Sequence, residues 1–328
     1  AENSTSTSGP VSATVQPVPA GPVVPLAGLT TLYVGTSPNL TITNGIDNLN
    51  NGGLLWIKNR DNVRNNVLFD TERTANSTLV SNDPGARLLI DPPIVWNDNG
   101  FTLPHGDGDF NNSGFGNYVA WNFGKAAGYF DVVQWIGDGA AGGQIINHSL
   151  GTKPGLIVVK WFNDQQSWFV YSSSLPDANE KYLYLNFDGP VNNASANVWS
   201  ATDSSFLASD SLGLNIQDGK YVAYLFAEDT PGVIKCGTFS GTGAVDVGFE
   251  PQWVLIKAAD TTADWAIIDN KRGSMGPSYK AALFPNTDYS ESDGYDWQFT
   301  STGWTQTSFG YPNQIYVAIA APPLTRSQ

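Results

Sequence analysis

The side chains best placed to do chemistry crowd into one short loop, "HGDGDFNNSG", from His105 to Gly114. Asp107, Asp109 and Asn111 offer hard oxygens at alternate positions, a spacing that suits calcium. The glycine and the terminal glutamate of an EF-hand are missing, and His105 is a poor calcium ligand. The competing reading is a polar hairpin tip between "FTL" and "YVAW". The second histidine, His148 in "INHSLG", carries no Ser, Cys or Asp signature of a nucleophilic triad, and Gly-x-Ser-x-Gly is absent. Cys236 lies in the strand-like run "VIKCGTF" and reads as a small core or edge residue rather than a nucleophile.

Carboxylates are plentiful, but no pair is singled out for glycoside hydrolysis. Asp70, Glu72 and Arg73 ("DTER") resemble Asp269 and Arg272 ("DNKR"), which suggests a structural salt bridge or turn. Eleven tryptophans raise a second possibility, because the C–H face of a sugar stacks on exposed indole. Trp56, Trp121, Trp135, Trp168, Trp253 and Trp265 sit in apolar strand runs and read as core. Trp161, Trp199, Trp297 and Trp304 lie nearer turns and are the candidates for glycan stacking.

The elements that must position these groups are β-strands. From Leu29 onward, short Val/Ile/Leu/aromatic runs alternate with Gly/Asn/Asp/Ser/Pro clusters, as in "GLIVVKWF" and "PQWVLIKAA". No stretch sustains a 3.6-residue period, so the expected fold class is all-β. The text repeats itself. "YVAWNF", "YVAYLF" and "YVAIAA" begin at Tyr118, Tyr221 and Tyr316, and stand 60, 61 and 59 residues after Lys58, Lys160 and Lys257. Trp168 and Trp265 each follow their lysine by eight residues, and Asn82, Asn186 and Asn286 recur in turn contexts. We read three diverged copies of about a hundred residues, at 28–127, 128–229 and 230–328, behind an extended Ser/Thr/Pro-rich arm over 1–27. That length fits one antiparallel β-sandwich per copy and exceeds a solenoid rung. In each YVA strand the period of two puts Val119, Trp121 and Phe123 on one face and Tyr118 and Ala120 on the other. Apolar groups on both faces predict a central strand covered on both sides.

Composition narrows the partners. With 16 basic against 30 acidic residues, a formal charge of −14, nucleic acid is repelled. No run of eighteen apolar residues argues for membrane insertion. One cysteine forbids an intrachain disulfide framework. The N-terminus shows no secretory signal pattern, which leads to the expectation of release by cell lysis.

Several phrases, among them "FDVVQWIGDGAAGGQIINHSLGTKPGLIVVK", "GGLLWIKNRDNVRNNVLFDTER" and "VGFEPQWVLIK", resemble a family of repeated domains in virion proteins of marine and cyanobacterial tailed phages. The resemblance covers about residues 45–323 and implies concanavalin- or lectin-like, jelly-roll sandwiches. It also implies a non-enzymatic structural role in a virion, as a tail fibre, tail component or head decoration, with no catalytic residue to transfer. Expected partners are further copies of the chain, such as a trimer, and capsid or tail proteins reached through the N-terminal arm. A host-surface glycan or receptor is the further candidate, with no cofactor unless calcium occupies the acidic loop. The alternative readings are a glycan- or receptor-binding adhesin and a polysaccharide depolymerase.

Overall fold

The computed structural model describes residues 24–273 and 279–322, with only the backbone at Tyr279 and Lys280. Residues 1–23 of the arm expected to bind capsid or tail proteins lie outside the described residues. The first unit holds β1 (Thr30–Val34), β2 (Leu40–Thr43), β3 (Gly53–Asn59), β4 (Asn66–Asp70), β5 (Ser77–Val80), β6 (Leu88–Leu89), β7 (Val95–Asn97), β8 (Gly100–Leu103) and β9 (Asn117–Gly124). The second holds β10 (Phe130–Ile136), β11 (Gln144–Asn147), β12 (Pro154–Trp161), β13 (Phe169–Ser172), β14 (Lys181–Tyr184), β15 (Asn192–Asn193), β16 (Ser205–Ala208) and β17 (Lys220–Ala227). The third holds β18 (Asp229–Thr230), β19 (Ile234–Phe239), β20 (Gly243–Asp246), β21 (Pro251–Ala258), β22 (Ala266–Asp269), β23 (Tyr279–Leu283), β24 (Ser292–Thr300), β25 (Gly303–Gln306) and β26 (Gln314–Ala320). The fold is all-β, with antiparallel pairing throughout these sheets.

One strand order occurs three times. It reads β1–β9–β3–β4–β5–β6, then β10–β17–β12–β13–β14–β15, then β19–β26–β21–β22–β23–β24. Each main sheet has a smaller companion: β2–β8–β7 in the first unit, β11–β16 in the second, and β20–β25 in the third. In the third unit the nine-residue β24 pairs with both β23 and β25, so main and companion sheets run together. The glycines of the "NDNGF" and "TSTGW" turns have a steric reason. A Cβ on Gly100 would stand 1.9 Å from the Ile42 carbonyl oxygen, and one on Gly303 would stand 1.9 Å from that of Val245.

The YVA strand is an interior strand of each main sheet, second in each order given above, and β9 shows its surroundings. It lies between β1 and β3, and every residue but Asn117 is buried. Tyr118 and Ala120 join Ile42, Phe101 and Leu103 in the layer between main and companion sheets. Val119, Trp121 and Phe123 face the opposite way, into a core drawn from all three units. There Phe123 meets Phe226 at 5.5 Å and Trp253 at 5.3 Å between ring centroids, one aromatic residue from each unit. The units therefore are not beads on a string. The first has an outer core of its own, and all three contribute to the shared inner one. The end of the arm joins them: Leu26 is buried in the shared core, and its carbonyl accepts from Gln252 Nε2 of the third unit at 2.8 Å.

Candidate functional site

The lysines that mark the copies are buried. Each Nζ donates to a backbone carbonyl in a different unit: Lys58 to Asp288 at 3.0 Å, Lys160 to Pro84 at 2.8 Å, and Lys257 to Asp188 at 3.1 Å. The first unit thus grips the third, the second grips the first, and the third grips the second, which closes a ring of three seams. The same three carbonyls accept backbone N–H groups from Arg64, Gln166 and Ala263. Eight residues after each lysine stands another cross-seam donor: Asn66 Nδ2 to Phe284 O, Trp168 Nε1 to Val80 O, and Trp265 Nε1 to Tyr184 O. The recurring Asn82, Asn186 and Asn286 accept the backbone N–H of those same residues at 2.8–2.9 Å. Desolvation pushes all three lysines down to about 8, with carboxylates nearby acting the other way.

The Asp–Arg pairs also serve the seams. Arg73 Nε lies 2.7 Å from Asp70 Oδ2, and Arg272 Nε lies 2.6 Å from Asp269 Oδ2, with all four side chains buried. Each aspartate takes one more donor from a neighbouring unit: Tyr224 OH reaches Asp70 Oδ2 at 2.7 Å, and Trp121 Nε1 reaches Asp269 Oδ2 at 3.0 Å. Burial, then the adjacent Asp70 charge, raises the Tyr224 phenol well above its ordinary value. At the corresponding positions the third unit has Ile319, which brings no donor, and the second has Ser172 in "YSSSLP" in place of an aspartate.

The seams differ at one place. Two residues after each lysine, a carbonyl accepts an equivalent cross-seam N–H: Arg60 from Glu291, Phe162 from Arg87, and Ala259 from Val191. Arg60 fills the first seam with a bidentate pair to Glu291, at 2.8 and 2.7 Å, and Arg272 also donates to Glu291. Phe162 fills the second, with the guanidinium carbons of Arg87 and Arg73 5.4 and 6.0 Å from its ring centroid. In the third seam the matching residues are Ala259, Val191 and Leu175, and a cleft of about 430 Å³ opens. No part of this cleft was singled out by sequence reasoning, although alignment on the three lysines sets Arg60, Phe162 and Ala259 in one column.

The acidic loop is held together by its own groups. Asp107 Oδ1 accepts the Asp109 backbone N–H at 2.8 Å, and the Asp109 carboxylate accepts both the N–H and the side-chain amide of Asn65. Asn111 is buried, its Oδ1 accepting from Thr36 and its Nδ2 donating to Pro38 and Pro104 carbonyls. The three candidate calcium ligands thus face separate intramolecular partners. Among the described residues no group of three or more His, Cys, Asp or Glu is arranged to hold a metal. Desolvation raises the Asp107 pKa. His105 and Asp107 border an open polar depression of about 500 Å³ beside Asp91.

Three of the four glycan-stacking candidates require correction. Trp199, Trp297 and Trp304 are 1, 0 and 0% exposed, so no external sugar reaches them. Trp297 and Trp304 stack on each other at 5.2 Å, because β24 and β25 place them across the hairpin on the inward face. Trp199 packs against Tyr171. Trp161 is half-buried at the end of β12, its Nε1 donating to Asn163. The six tryptophans read as core are buried. Cys236 is buried and donates a weak bond to the Ala227 carbonyl, with burial pushing its thiol pKa up. His148 Nε2 meets the Thr202 carbonyl, and desolvation lowers its pKa. No helix among the described residues is long and apolar enough to cross a membrane.

No curated protein and no solved structure matches the chain. One family spans residues 29–314, most of the three units described above, and the chain belongs to it: the domain of unknown function DUF7483.

Proposed function

We propose that the chain is a non-enzymatic structural protein of a tailed-phage virion, a tail component or head decoration that also contacts the host surface. One observation carries the reading: the charged and amide residues that recur from copy to copy are spent on locking three sheets into a closed ring. Such residues stabilise a rigid body, and rigidity suits a particle component. The resemblance of its repeated phrases to virion proteins and an acidic composition in which only 14% of residues are charged support the same reading. Mass spectrometry and immunogold labelling of particles purified from a culture that encodes the chain test the proposal. Stoichiometric presence with label on the tail or head is expected. Absence from particles while the soluble fraction contains the protein overturns it.

A further inference from the structure

We infer that the third seam, between the second and third units, is a saccharide-binding site. Its geometry is that of a position left unplugged. The three seams share the same backbone hydrogen bond, yet Arg60 with its ion pairs fills the first and a phenyl ring fills the second, while Ala259 leaves the third open. The "YSSSLP" departure of the second unit acts on the same spot: Leu175 stands where Arg73 and Arg272 stand elsewhere, and adds an apolar wall. A second departure comes from the third unit. In β1 and β10 the ring that stacks on the YVA tyrosine is Tyr33 or Trp135, whereas β19 has Gly237 there and moves its ring to Phe239, which borders the cleft. Two units have diverged toward the same cavity.

The lining selects the ligand class. Leu175, Val191, Ala259, Ile315 and Phe239 supply an apolar surface with one half-exposed aromatic ring, the partner a sugar's C–H face requires. Lys181, Asp260 and Asn313 stand on the polar side. Asn313 Nδ2 donates to Asp260 Oδ2 at 2.7 Å and fixes the carboxylate, while Oδ1 of both residues and Lys181 Nζ have no hydrogen-bond partner among the described residues. Acceptors, an amide and a cation beside an apolar wall match vicinal hydroxyls on a ring. A volume of about 430 Å³ falls within the small-molecule range of about 300–1,000 Å³ and holds a short saccharide. The formal charge of −14 disfavours a nucleotide.

The inference is independent of the particle role. A printed array of neutral, amino and acidic oligosaccharides, followed by calorimetric titration with the best glycan, tests it on the full chain. Binding to at least one class is expected. Ala259→Phe, which copies the filled seam, is expected to abolish it. Asp260→Ala, on the exposed rim where folding is not at stake, is expected to weaken it about tenfold. A blank array overturns the inference, as does glycan binding indifferent to both Ala259→Phe and Asp260→Ala.

Discussion

At the scale of single residues, three buried ammonium groups give the molecule a pH signature. Each lysine has a folded value of about 8, below its ordinary 10.5, because burial disfavours the charged form. Between those values the unfolded chain still holds its proton and the folded chain has released it, so stability rises with pH in that window. Below about 8 both states are protonated and the cost of burying the charge is carried in full. Each lysine contributes a slope of up to about 1.4 kcal/mol per pH unit. The buried thiol and phenols are shifted upward and oppose this above their ordinary values of 9 and 10. Comparison with Lys160→Met cancels them. Thermal unfolding from pH 7.5 to 9.5 is expected to show the wild type gaining on Lys160→Met as pH rises. A gap that stays constant contradicts the assignment.

At the scale of elements, a seam is stabilised as much by what fills it as by its hydrogen bonds. Phe162, 2% exposed, sits just beyond β12 and packs between Arg73 and Arg87 of the first unit. Phe162→Ala removes a buried ring and leaves two guanidinium groups without their aromatic face, so a loss of about 3–5 kcal/mol is expected in urea unfolding. Ala259→Phe, entering a seam that already has the room, is expected to leave the urea midpoint unchanged or raise it. Equal destabilisation by both substitutions argues against the seams being equivalent.

At the scale of the whole molecule, the shared core makes the three units interdependent. Phe123, Phe226 and Trp253 come from different units and have no substitute partner when one unit leaves. Calorimetry of the full chain is therefore expected to give one transition, with calorimetric and van't Hoff enthalpies equal. A fragment of residues 28–227, which lacks the third unit, is expected to lose that cooperativity, since two of the three seams disappear with it. Separate transitions for the units in the full chain contradict the ring.

The amino-acid sequence by itself determined the strands, their period and the faces of the YVA segment, because alternation along a strand is a local property of the extended backbone. It also fixed which residues recur, and hence the spacing of Lys58, Lys160 and Lys257. It placed six tryptophans in the core correctly and misread Trp199, Trp297 and Trp304, because nearness to a turn in sequence says nothing of which sheet covers that turn. In the acidic loop the sequence shows the oxygens but not the donors that Asn65 and Thr36 bring to them from elsewhere in the chain. Only the tertiary structure decided that the copies close on one another, and that Arg60, Phe162 and Ala259 occupy three equivalent seams. Those positions acquire meaning when a face of one sheet meets a carbonyl of another, a contact set by packing between segments as far as 230 residues apart.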